Sequence, residues 1–245
     1  MSTIEKVSPR LHSVSGEMAF WVGNLKGKIG EFYDVSKYSD FLRFYLQLRK
    51  EIEDKFNLSF QIFRPEAAAS LTHLKFVVFN VHKAFKNNNA ISNSHPMEFL
   101  LYLALSRQIS DSIKEVGFSL PSNKEKIIRI SVILFGREDK IPGALSHIQN
   151  KFSNFSFTDF PTSNPSSWEM ILRRKSIYLQ QILNILRCNG LFVSQEKEEN
   201  LCQNPLKGQL ENLVKEYGVK EVSRAISEAL ESRMVELYIN NYKKS

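Results

Sequence analysis

The chain has 245 residues, 42% of them hydrophobic and 24% charged, which is a globular composition with enough apolar material for a real core. Wholesale disorder is excluded on that ground. Lysine and arginine number 33 against 26 acidic residues, so the chain carries +7, a balance that suits nucleic acid or an acidic partner without requiring either.

No apolar run approaches the roughly 18 residues of a membrane span, and the start, MSTIEKVSPRLHS, has no apolar centre of the signal-peptide kind. A soluble, cytoplasmic protein with no membrane association is expected. Cys188 and Cys202 are too few for a disulfide framework and lack zinc-site spacing, so they read as free thiols.

In chain order, Glu17 to Asn24 predicts a short strand before a Gly27 to Gly30 turn. Phe41, Tyr45, Leu48 and Ile52 recur at helical spacing within Ser36 to Lys55, with Ser36 or Ser39 as cap. Leu58 to Phe63 alternates and predicts a strand. Arg64-Pro65-Glu66 then opens a long helix, with proline in its first turn. Its apolar stripe of Leu71, Leu74, Val78, Val81 and Phe85 is widened by Phe76, Val77 and Phe79, which predicts burial on most sides.

Helices follow over Met97 to Ala104 and Gln108 to Val116, the second closing on Gly117 with Ile109, Ile113 and Val116 on one face. Ile127 to Phe135 is β-branched and apolar enough for a central strand. Pro142 to Asn150 predicts a helix, Phe152 to Phe157 a strand, and Trp168 to Arg187 one long helix with Ile171, Tyr178, Ile182, Ile185 and Leu186 inside. Ser194 to Asn204 is a polar linker or insertion. A short helix over Leu210 to Tyr217, a break at Gly218 and a final helix over Val219 to Tyr238 complete the chain. Strands interleaved with helices without regular alternation give an α+β fold: a small mixed or antiparallel sheet flanked by helices, in a single domain.

The usual catalytic signatures are missing. There is no GxxxxGK[ST], no GxGxxG after a strand, no HExxH and no GxSxG elbow. Five histidines are scattered without an acidic partner at ligand spacing, which gives no metal site. A protein that is not an enzyme and has no cofactor is expected.

The stretch from Phe60 to Phe118 contains a helix with an inward His73, a basic helix end, Ile91 to Ser94, Met97-Glu98-Phe99, Arg107-Gln108-Ile109 and a closing Gly117. This run resembles the small kinase-binding subunit of the KEOPS tRNA-modification complex, the TPRKB family with its archaeal and fungal counterparts. Leu210 to Ile239 looks like the closing short helix, glycine and long amphipathic helix of that family. One step departs from it: Ala104-Leu105 stands where the family has Ser-Gly, so a backbone approach that needs glycine is made differently here. Residues 1–56 read as an extension and those around 157–207 as an insertion.

The resemblance implies a non-catalytic subunit in threonylcarbamoyladenosine formation on tRNA. Such a subunit supports the ATPase activity of the atypical kinase of the complex and helps recruit tRNA by its 3′ CCA end. On the residues themselves, Asn93, Ser94 and His95 precede one helix and Arg107 and Gln108 the next, with Lys83 and Lys86 at the preceding helix end. Two readings stand for them. They form a phosphate and base-edge site, in which His95 stacks on a base, or Asn93, Ser94 and Gln108 cap helices while Arg107 pairs with a carboxylate such as Asp111. For the kinase contact, Ile226, Leu230, Arg233, Met234 and Leu237 form either an exposed face with Arg233 at the rim or the inner face of a docked terminal helix. The alternative function is a free-standing RNA-binding module without a kinase partner. An enzyme on this scaffold would need a deep polar pocket with a perturbed titratable pair.

Overall fold

The computed structural model describes residues 10–28, 38–118, 127–174, 177, 179–191 and 206–239. Their order is β1 (His12–Ser15), β2 (Met18–Lys28), α1 (Tyr38–Phe56), β3 (Ser59–Phe63), α2 (Leu71–Lys86), α3 (His95–Leu103), α4 (Ile109–Val116), β4 (Ile127–Arg137), α5 (Ile141–Lys151), β5 (Ser156–Asp159), α6 (Pro165–Arg174), α7 (Leu179–Cys188) and α8 (Leu206–Ile239). This is the expected α+β class, and every strand pair is antiparallel. The elements gather into two compact units, Met1–Pro65 with Val77–Phe160, and Glu66–Phe76 with Pro161–Ser245.

The first unit holds the sheet, ordered β1-β2-β4-β3. β2 also pairs with β5, so its outer edge is shared: Met18, Ala19 and Phe20 face β1, and Gly23 to Lys26 face β5. On one sheet face Trp21, Leu25, Ile130, Val132 and Leu134 pack with Leu48 and Ile52 of α1 and Leu145 and Ile148 of α5. On the other, Phe99 of α3 lies against Phe63 and Phe135, with ring centroids 5.6 and 5.8 Å apart. Burial on both faces explains why β4 reads as a nearly continuous apolar run rather than an alternating one. The residues expected as an N-terminal extension supply β1, β2 and α1, which are integral to this sheet and core.

The expected turn at Gly27 is instead the end of β2, where Gly27 pairs with Ile128. A Cβ on Gly27 would sit 2.8 Å from the Phe155 ring, so the glycine lets that ring cover the strand. Pro65–Ala67 forms only a 3-10 turn, and α2 starts at Leu71 because the Ser70 hydroxyl accepts the His73 N–H at 3.0 Å. As its widened stripe predicts, α2 is buried on most sides, with Lys75, Phe79, Lys83 and Lys86 exposed along one narrow face. Ile109 and Ile113 are exposed, leaving Ser112 and Val116 as the buried residues of α4.

In the second unit, the turn before α2 binds the segment leading into α6: Asn164 N donates to Ala69 O at 2.9 Å and Trp168 Nε1 to the same oxygen at 3.1 Å. Ser70 Oγ lies 2.8 Å from Ser227 Oγ of α8, which donates to Ser223 O. The single helix expected from Trp168 to Arg187 is two, α6 starting earlier at Pro165 and α7 at Leu179. Gly218, at φ 83°, kinks α8 where the break was expected. Tyr178 and the Ser194 to Asn204 stretch lie outside the described residues.

Candidate functional site

The loop from Asn87 to Ser94 has no regular structure of its own, and a buried carboxylate holds it. Glu98, fully buried in α3, accepts the Ser92 N–H at 2.8 Å and the Ile91 N–H at 3.1 Å. Burial pushes the Glu98 carboxyl up from its ordinary value, while those two N–H groups and the positive charge of Arg107 pull it back. Leaving both amides unpaired inside the protein would cost about 1–3 kcal/mol each, so Glu98 fixes the course of the loop.

Ser94 then caps α3, its Oγ accepting from Met97 N, with Pro96 in the first turn. The same hydroxyl takes a hydrogen bond from the guanidinium of Arg49 on α1. Asn93, Ser94 and His95 line one wall of a cleft of about 760 Å³. Arg49 and Glu53 of α1, His82 of α2, Arg137 of β4 and Glu17 before β2 are its other charged or titratable lining residues. One ring face of His95 is taken by Phe85, stacked 3.7 Å away between centroids. Burial lowers the His95 pKa; Glu53 opposes that and His82 reinforces it, so the imidazole stays neutral further down in pH than usual.

The sequence-predicted residues therefore divide. Asn93, Ser94 and His95 come together in the cleft. Lys83 and Lys86 are exposed near the end of α2. Arg107 and Gln108 are exposed and do not line the cleft: Gln108 takes the cap position of α4 through its backbone without a side-chain bond, and Arg107 forms no ion pair with a described carboxylate. On α8, Ile226, Leu230 and Met234 are 0–1% exposed and belong to the core, because the helix packs this stripe inward next to α6 and α7. Arg233 is exposed, and the side chain of Leu237 lies outside the described residues. Arg49, Glu53, His82 and Arg137 were missed. The one usable signal was Arg49, a cation four residues from Tyr45 on the border of the α1 stripe.

The step at Ala104-Leu105 has a definite shape. Leu105 N donates to Tyr102 O and Ser106 N to Leu101 O, at 3.1 and 3.0 Å, which is the paired pattern of a Schellman helix end. Leu105 stands at its left-handed position with φ 47°, where glycine is the usual residue. Leucine accepts the strain and is repaid in part by burial, at 7% exposure.

Compared with known protein families and with characterised proteins, the chain shows no match. Among the described residues no helix is long and apolar enough to cross a membrane, and no group of three His, Cys, Asp or Glu residues is placed to hold a metal ion.

Proposed function

We propose that this chain is a non-catalytic subunit of the KEOPS type, which binds the atypical kinase of that complex and recruits tRNA by its 3′ CCA end for threonylcarbamoyladenosine formation. The observation that carries the reading is the loop Ile91–Ser94, the segment in which the resemblance is dense. Glu98, from the adjoining Met-Glu-Phe motif, pins the loop from within, and its end opens onto the cleft. Leu105 lends support, since the backbone there adopts the left-handed form for which the family's glycine is suited.

In this reading Asn93, Ser94 and His95 meet the terminal nucleotides, with Arg49 as a phosphate partner across the cleft. Lys83 and Lys86 supply attraction that salt weakens. His95 offers only its free ring face to a base, the other being covered by Phe85. For the kinase, α8 retains Arg233 and Val235 as exposed contacts. Co-expression with the cognate atypical kinase should give a complex that survives gel filtration, weakened by Val235→Asp. Two separate peaks at micromolar concentration would remove the kinase from the account. The second reading, a free-standing RNA-binding module, is favoured by the absence of any carboxylate between Leu71 and Met97, and it predicts RNA binding with no kinase complex.

A further inference from the structure

Phe79 lies at the centre of α2 yet is 40% exposed, among helix neighbours Val77, Val78 and Val81 that are fully buried. With about 100° between successive residues, Phe79, His82, Lys83 and Lys86 fall within roughly 100° of arc on one side of the helix. Lys83 and Lys86 are exposed, and neither has an ion pair with a described carboxylate. None could arise locally: no Asp or Glu occurs from Leu71 to Met97, and the next acid, Glu98, is fully buried. His82 belongs both to this face and to the lining of the cleft, so the two are continuous. On the α1 side of the same cleft Arg49 is accompanied by the carboxylate of Glu53, whereas the α2 side carries no acid to oppose an entering polyanion.

We propose that this face of α2 is a track for single-stranded RNA running into the cleft, with Phe79 as its base-stacking platform and Lys83 and Lys86 on the backbone phosphates. The inference rests on the RNA reading above and adds to it a residue and a direction of approach. An open aromatic ring one turn ahead of two unpaired lysines matches a strand whose bases are unstacked and available, a few nucleotides before the end that the cleft receives. A duplex keeps its base faces stacked. An acidic protein surface offers carboxylates but few flat rings.

The test uses the full chain and a fluorescein-labelled oligouridine of about ten nucleotides, within the length such surfaces occupy. Phe79→Ala should weaken binding about tenfold and leave the salt dependence unchanged, while Phe79→Trp restores it. Lys83→Glu with Lys86→Glu should weaken binding and lower the slope of log affinity against log salt by roughly 1.4. Both sites are exposed, so circular dichroism should show an unchanged fold. If Phe79→Ala binds like the parent while the lysine variant fails, the platform is overturned and the RNA reading survives. If the parent chain binds neither the oligomer nor tRNA at low salt, both fall. Competition by polyglutamate as effective as by RNA would also overturn the track, making the face a site for acidic protein.

Discussion

Glu51 on α1 is held by three side chains at once: Lys151 Nζ at 2.9 Å, His147 Nε2 at 2.9 Å and Gln47 Nε2 at 3.0 Å. Lys151 and His147 come from α5, so this carboxylate ties two helices that cover the same sheet face. The hydrogen bonds from Lys151 and then His147 pull its pKa down to about 2. A depressed carboxylate stabilises the fold above its ordinary value and loses that contribution as pH falls through its folded value. Glu51→Gln should therefore cost under about 1 kcal/mol at pH 7, the side chains being partly in water. The gap to the parent should close between pH 4.5 and about 2 in denaturant titrations, and a gap constant with pH would refute the linkage. The two α5 partners were not readable in the sequence, because His147 and Lys151 lie far along the chain from Glu51. The same holds for Arg49 on Ser94. Glu98 was legible only as an acid in a first turn, not as the buried anchor of a loop.

At the scale of elements, residues whose period matched their surroundings were read well. The stripe of Phe41, Leu48 and Ile52 is buried as its spacing required, and the Ile127 strand is central. Misreadings came where a turn carried no marker. Gly27 suggested a turn because glycines cluster there, whereas close approach of Phe155 is what uses it. The break between α6 and α7 has no glycine or proline to announce it. Gly218 was legible because a lone glycine interrupts an otherwise helical pattern, and its φ of 83° with ψ of 154° is a conformation nearly confined to glycine. No atom lies within 4 Å of a Cβ built there, so Gly218→Ala meets backbone strain alone. The expected cost is about 1–2 kcal/mol, or a few degrees of melting temperature in a thermal scan. A higher melting temperature would mean that α8 runs straight through this position and gains helix propensity.

Across the whole molecule, the excess of positive charge is only partly neutralised where it matters. Arg137 pairs with Asp139 and Arg224 with Glu228, but the α2 face has no acid of its own. The two compact units divide within α2, at Phe76 and Val77, where no shift in composition marks a boundary. The candidate cleft draws on α1, α2, the loop before α3 and β4, so sequence reading reached only its contiguous part, Asn93 to His95. The central claim, that this part receives the 3′ end of tRNA, is tested most directly by comparing affinity for intact tRNA with that for the same tRNA trimmed of its CCA end. The account predicts a loss of binding on trimming, with Arg49→Gln reproducing the loss on intact tRNA. Equal binding of the two tRNAs would contradict it and reduce the basic surface to unspecific attraction.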